Sequence, residues 1–108
     1  MKVKIYQINN ERDRKSVAFK SLASLSRYQG SPEVDVSLYD LVWEGDVNAE
    51  DLEVLFRIFN IEKPEDYLAR SLSVSDVVEV IDSQQPKEGF YYCDVIGFRK
   101  IPFDSHKK

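Results

Sequence analysis

The chain has 108 residues, of which 43% are hydrophobic, and 19 acidic against 15 basic side chains give it a net charge of −4. This composition excludes a disordered chain, and the length predicts one globular domain over residues 1–108, with a disordered tail at 104–108. A single cysteine excludes an internal disulfide, and no stretch is long and apolar enough for a signal peptide or a membrane span, so we expect a soluble cytoplasmic protein.

The first third of the chain predicts one strand followed by an ambiguous segment. Residues 2–8 alternate between polar and apolar side chains, which is the period of a half-buried strand. After a polar loop, residues 16–20 predict a second strand that pairs back on the first, with Val17 and Phe19 inward. A helix is the alternative for this segment, because three apolar residues are nearly helically spaced: Ala18, Leu22 and Leu25.

Two short helices are predicted in the middle of the chain. Ser37 precedes Asp40 in an S-x-x-D start, and Gly45 is placed as the residue that ends this first helix. Asn48 stands three residues before Asp51 in the same way and predicts the start of the second helix. The apolar residues of the second helix follow at helical spacing: Leu52, Leu55, Phe56 and Phe59.

The last third of the chain predicts strands. Val77–Ile81 is a β-branched apolar run that is typical of a buried strand. Residues 90–95 and 98–101 predict two further strands, interrupted near Gly97. The expected fold class is therefore α+β: a small antiparallel sheet, made of an N-terminal strand or hairpin plus a C-terminal meander, packed against two or three short helices.

Charge is distributed unevenly along the sequence. Residues 1–30 carry seven basic and two acidic side chains, whereas residues 31–60 carry one basic and eight acidic ones. Acidic residues gather at helix starts, where they complement the helix dipole, and this explains about half of the acidic segment. The alternative is an acidic face that binds a basic partner, helped by aromatic anchors. The candidate interaction surface is then Tyr39, Trp43, Glu44, Asp46, Glu50 and Glu53.

A second candidate is a polar turn in front of the buried Val77–Ile81 strand. Ser71, Ser73 and Ser75 fall on alternate residues, and Asp76 follows them. Such side chains commonly satisfy backbone N–H groups where a strand begins. The alternative function of this turn is contact with a polar ligand or a phosphate.

We expect no catalytic, cofactor-binding or metal-binding residues. The only histidine, His106, is in the tail, and Cys93 lies in a predicted strand, where a thiol is typically a small buried hydrophobic group. Four scattered glycines cannot form a phosphate-binding loop, and no nucleotide, zinc-protease or EF-hand motif occurs. A sequence pI of about 5.0 also argues against direct nucleic-acid binding.

Three blocks of sequence, in order along nearly the whole chain, resemble the YodL-like domain family. They are 4–9 with 12–14 and 17–19; 37–47 with 51–53 and 56–60; and Tyr67 with 70–78, 92–94 and 97–98. The resemblance implies a small accessory domain of Gram-positive bacteria and of their conjugative elements, plasmids and phages. It brings no catalytic residues to carry over.

The leading hypothesis is a non-enzymatic protein-interaction domain of a mobile genetic element, whose acidic 33–53 segment binds a host or element-encoded protein. The alternative is an anti-defence protein or DNA mimic that inhibits a DNA-binding enzyme, with binding that competes with DNA and weakens with salt. A third hypothesis is a nucleic-acid or small-ligand module beside the polar turn. Its cations would be Lys2, Lys4, Arg12, Arg14 and Lys15.

Overall fold

One antiparallel sheet of five strands forms the centre of the protein. The computed structural model describes residues 1–104, so the predicted tail beyond Asp104 lies outside the described residues. The strands are β1 (Lys2–Ile8), β2 (Tyr39–Asp46), β3 (Val77–Asp82), β4 (Gly89–Cys93) and β5 (Phe98–Ile101). Their order across the sheet is β2-β1-β3-β4-β5, so the N-terminal strand lies between β2 and the C-terminal meander.

Two short α-helices accompany the sheet, α1 (Leu25–Gln29) and α2 (Leu52–Ile61), together with single 3₁₀ turns at Leu22–Ser24 and Val36–Leu38. The α+β class, the antiparallel sheet and the C-terminal meander are thereby confirmed. Within residues 1–104, no helix has the length and apolar character needed to cross a membrane.

The helix predicted to begin at Ser37 is wrong, because this segment is an edge strand. The Asp35 carboxylate accepts a hydrogen bond from the Ser37 backbone N–H (3.1 Å) and caps only a 3₁₀ turn, after which β2 pairs with β1. A bulge at Val42 adds one residue to β2, which breaks the alternation that would have indicated a strand. Pairing with β1 therefore overrides a weak local helix signal.

The second predicted helix is confirmed as α2, with Leu52, Leu55 and Phe59 buried as expected. Its N-cap lies three residues later than predicted. Asp51, rather than Asn48, is the N-cap residue, and its carboxylate accepts a hydrogen bond from the Val54 backbone N–H (2.8 Å).

The strand predicted at residues 16–20 is also wrong. Both carboxylate oxygens of Asp13 accept hydrogen bonds, one from the Val17 N–H and one from the Ala18 N–H, each at 2.9 Å. These amides therefore belong to a turn and do not extend the sheet. Val17 is buried as predicted, but Phe19 points outward and is 53% exposed.

The two faces of the sheet bury separate cores. One core packs α2 and the following segment on β1 and β3: Val3, Ile5, Val78 and Val80 with Leu55, Phe59, Tyr67 and Leu72. The other core lies under the 17–38 segment and residues 101–103: Tyr6, Ile8, Val77 and Tyr92 with Leu25, Tyr39 and Phe103. Residues on successive positions of a strand face opposite sides, so β1 contributes to both cores.

Gly45 is required by the packing of Trp43 against β2. A Cβ atom added at Gly45 would lie 2.6 Å from Trp43 Cη2 and 2.8 Å from Cζ2. Replacing Gly45 by alanine should therefore lower the free energy of unfolding by about 1–3 kcal/mol, measured by urea denaturation. Phenylalanine lacks these indole atoms, so the same replacement in a Trp43→Phe background should cost much less. An equal cost in both backgrounds would show that the contact with Trp43 is not the cause.

Candidate functional site

The predicted polar turn encloses a fully buried carboxylate. Asp76 is 0% exposed at the start of β3, and its Oδ2 accepts hydrogen bonds from the Ser73 backbone N–H (2.8 Å) and from Gln7 Nε2 (3.0 Å). Ser75 is also buried, and its carbonyl accepts a hydrogen bond from the Tyr39 hydroxyl (2.6 Å). These contacts match the backbone-satisfying role weighed for the turn from the sequence.

Arg70 connects this buried carboxylate to the surface. Its Nη2 donates to the Ile8 carbonyl (3.1 Å) and lies 3.9 Å from Asp76 Oδ1. Within the described residues, Asp76 Oδ1 and Arg70 Nε have no hydrogen-bond partner, so the two charges attract without a hydrogen bond between them. The Arg70 carbonyl accepts from the Tyr67 hydroxyl (2.5 Å) and from Gln7 Nε2 (3.0 Å), which ties the 67–70 segment to β1.

Burial changes the acid–base behaviour of this cluster. Loss of solvation raises the pKa of Asp76 to about 7, although hydrogen bonds from Ser73 and Gln7 and the charge of Arg70 act in the opposite direction. Burial likewise raises the pKa of Tyr67 to about 12 and the pKa of Tyr39 well above its usual value. Asp76 is thus the member of the cluster that titrates near neutral pH.

Two residues with left-handed backbones connect the cluster to an exposed aromatic ring. Ser75 has φ +84° and Phe19 has φ +68°. The Phe19 N–H donates to Ser75 Oγ (2.9 Å), and the Ser75 N–H donates to the Cys93 carbonyl at the end of β4 (2.9 Å). The Phe19 ring is exposed, and the Arg70 guanidinium lies over it at 5.4 Å from the ring centre.

The connection between β4 and β5 exposes two more apolar side chains at the same end of the sheet. Val95 is 67% exposed and Ile96 is 89% exposed, two and three residues after Cys93. Asp94 holds this connection in place, because it pairs with Arg99 Nε (3.2 Å). We call the exposed group of Phe19, Val95 and Ile96 the apolar end of the protein.

The six residues of the predicted interaction surface do not share one face. Tyr39 is only 2% exposed, so it cannot serve as an interface anchor. Trp43 is half-buried, packs edge-on against Phe59 at 5.0 Å between ring centres, and donates its indole N–H to Asp66 (2.9 Å). Both aromatic residues of the predicted interaction surface therefore take part in packing within the protein.

The acidic members of that surface are separated. Glu44 and Asp46 are exposed on β2 and lie directly across from Lys4 and Lys2 of β1. Glu50 is exposed in the loop before α2. The Glu53 carboxylate instead lies beside Gly97, where an added Cβ would be 3.5 Å from Oε1, near the opposite edge of the sheet.

The cations of the nucleic-acid hypothesis are separated in a similar way. Lys2 and Lys4 lie on β1 across from acidic residues, whereas three others line an open groove of about 1240 Å³: Arg12, Arg14 and Lys15. Arg12 is already paired with Asp40 (2.6 Å). The groove also contains carboxylates, those of Glu33, Asp35 and Asp104, so its lining has no predominant charge.

Cys93 is 3% exposed, and burial raises the pKa of its thiol to about 12, so little thiolate is present at neutral pH. Over the described range 1–104, no group of three or more His, Cys, Asp or Glu side chains is placed to hold a metal ion.

Comparison with protein families gives one match to the chain, to the YodL-like domain over residues 2–103. The chain belongs to the YodL-like domain family. The resemblance seen in the sequence blocks is thereby confirmed. No curated protein and no solved structure matches this YodL-like domain.

Several residues of the site were not singled out from the sequence. Gln7 is predicted there only as part of a strand, and Phe19 is predicted to point inward. Ile96 carried a usable signal, because it directly precedes Gly97 between two predicted strands, where side chains are exposed. Val95 was placed in the predicted strand 90–95, but the strand ends at Cys93. Arg70 carried no local signal, since its role depends on contacts with β1 and with Phe19.

The buried Asp76 predicts a particular pH dependence of stability. Its pKa is raised in the folded state, so the stability from this site is full below about pH 4 and is lost as the pH rises through 7. Asp76→Asn should remove this dependence and keep both hydrogen bonds, because its amide can occupy the unpartnered Oδ1 position.

Urea denaturation of both proteins between pH 4.5 and 8 tests this expectation. The stability of the unmodified protein should fall relative to the variant by up to about 3 kcal/mol over this range. The comparison cancels the titration of all groups common to the two proteins. A difference that stays constant with pH would contradict a buried, near-neutral Asp76.

Burial also predicts that Cys93 is chemically inert in the folded protein. At pH 8 the thiol should react with Ellman's reagent roughly a hundredfold more slowly than in urea-unfolded protein, because it is both inaccessible and protonated. Cys93→Ser supplies the blank, since the chain has one cysteine. Equal rates with and without urea would contradict the burial of Cys93.

Proposed function

We propose that this YodL-like domain is a non-enzymatic protein-interaction domain that acts as an accessory domain of a mobile genetic element. Its apolar end would contact a host or element-encoded protein. The observation that carries this proposal is the exposure of Phe19 (53%), Val95 (67%) and Ile96 (89%) at one end of the sheet. Apolar side chains that are exposed together, rather than singly, are typical of binding surfaces.

The backbone of Phe19 supports a functional role for its ring. A phenylalanine in the left-handed region costs about 1–2 kcal/mol relative to an ordinary conformation. Two hydrogen bonds, from Phe19 to Ser75 and from Ser75 to Cys93, hold the ring outward in that conformation. Packing of the core does not need this ring, so its display is better explained by contact with a partner.

The charges near the apolar end favour a partner surface that carries carboxylates. The Arg70 guanidinium lies over the Phe19 ring, and its side chain is 34% exposed. Arg99 is 70% exposed beside Val95 and Ile96, and one of its nitrogen atoms is paired with Asp94. Arginine beside aromatic and aliphatic groups is a frequent combination at the centres of protein interfaces.

Removal of the exposed side chains should abolish binding without unfolding the protein. Phe19→Gly deletes the ring but suits the left-handed backbone, so stability should stay within about 1 kcal/mol of the unmodified protein. Val95→Ser with Ile96→Ser removes the second part of the surface. We expect both variants to lose a partner that the unmodified domain captures from a Gram-positive lysate, measured by mass spectrometry.

Two further variants make the experiment specific. Leu41→Ser removes an exposed apolar side chain from β2, the strand at the opposite edge of the sheet from β5, and should leave capture unchanged. Charge reversal of Glu44, Asp46, Glu50 and Glu53 tests the acidic residues instead. Capture that survives Phe19→Gly and the double serine variant, but is lost on charge reversal, would overturn the assignment to the apolar end.

A further inference from the structure

The outer edge of β2 is open for pairing. β2 lies at one end of the strand order and pairs only with β1. The Tyr39 N–H donates to the Val36 carbonyl in the preceding 3₁₀ turn, but within residues 1–104 no backbone hydrogen bond joins residues 40–46 to a segment other than β1. Because antiparallel pairing alternates, every second N–H and C=O of this strand points away from β1.

The half of β2 after the bulge offers the regular part of this edge. Residues 43–46 pair with β1 without interruption, from Trp43 opposite Ile5 to Asp46 opposite Lys2. Trp43 faces the α2 side of the sheet, where it packs on Phe59, whereas the exposed Glu44 faces the other side. An added strand would therefore meet an indole on one face and carboxylates on the other.

Charge limits which strand can occupy this edge. Two copies of the protein paired through β2 would bring the carboxylates of Glu44 and Asp46 close to those of the second copy, and like charges across strands are destabilising. A strand with basic side chains at alternate positions would place them beside these carboxylates. The protein already contains this arrangement on the inner side, where Lys4 lies opposite Glu44 and Lys2 opposite Asp46. The Met1 amino group also pairs with Asp46 Oδ1 (3.4 Å), and the Asp46 side chain remains 80% exposed.

We infer that the outer edge of β2 binds an extended protein segment of alternating basic and apolar residues, which adds to the sheet as a sixth strand. The basic residues pair with Glu44 and Asp46, and the apolar residues between them lie on the side of Trp43. The backbone hydrogen bonds supply affinity, and the charges select the segment. This site is separate from the apolar end and does not depend on the proposed function.

A synthetic peptide of alternating lysine and valine tests the inference directly. Trp43 is the only tryptophan in the chain and lies on this edge, so its fluorescence reports binding. We expect saturable binding at low salt. A peptide with the same side chains but N-methylated at alternate residues should bind much more weakly, because it cannot donate the strand hydrogen bonds.

Matched variants locate the peptide on the edge. Glu44→Lys with Asp46→Lys should weaken binding about tenfold, the combined effect of two cross-strand ion pairs. Glu44→Gln with Asp46→Asn provides a milder pair if the first variant unfolds. Glu88→Lys, an exposed acidic residue in the β3–β4 connection, should bind like the unmodified protein, and so should Phe19→Gly.

Three results would overturn the inference. Equal binding of the N-methylated peptide would show simple charge attraction, and equal binding by the Glu44 and Asp46 variants would place the peptide elsewhere. A mass that rises with protein concentration in light scattering, abolished by the same variants, would show that a second copy occupies the edge. If Phe19→Gly loses capture from the lysate but still binds the peptide, the two sites act separately and the inference stands.

Discussion

The structure depends on the burial of one carboxylate. Asp76 brings together three parts of the chain that are distant in sequence: β1 through Gln7, the turn before β3 through Ser73, and the 67–70 segment through Arg70. A buried charge is costly unless it is hydrogen-bonded, so these contacts have to form together. The turn before β3 is therefore a structural centre of the domain, with the hydroxyls of Ser73 and Ser75 hydrogen-bonded to the backbone.

The same centre determines what the surface presents. Because Ser75 adopts a left-handed backbone beside Asp76, its hydroxyl is directed to the Phe19 N–H and its own N–H to Cys93. The exposed ring of Phe19 and the β4–β5 connection are thus held by one set of hydrogen bonds. Arg70 belongs to both regions, since it contacts Ile8 and Asp76 inside and Phe19 outside.

The position of β2 at an edge of the sheet accounts for Glu44 and Asp46 without a continuous acidic face. An edge strand needs charges and irregularities to prevent uncontrolled pairing, and β2 has Glu44, Asp46 and a bulge at Val42. Acidic residues then have two compatible effects, since they exclude copies of the same strand and favour a basic one.

The amino-acid sequence by itself determined the elements whose patterns are regular and locally supported. The alternation in β1, the β-branched run of β3 and the apolar stripe of α2 each indicate the observed element, and the ordered sequence blocks identify the YodL-like domain family. The acidic candidate residues and the polar turn could be named, but their arrangement in space could not. Neighbours along a strand face opposite sides, and only pairing determines which.

The tertiary structure decided the rest, because the deciding interactions join residues far apart in the chain. β2 has a cap-like start and no clean alternation, and it becomes a strand because β1 offers it a partner. The turn at residues 16–20 is held by Asp13 and Ser75, and Phe19 points outward as a consequence. The burial of Asp76 follows from contacts with Gln7, 69 residues away, for which no local pattern exists.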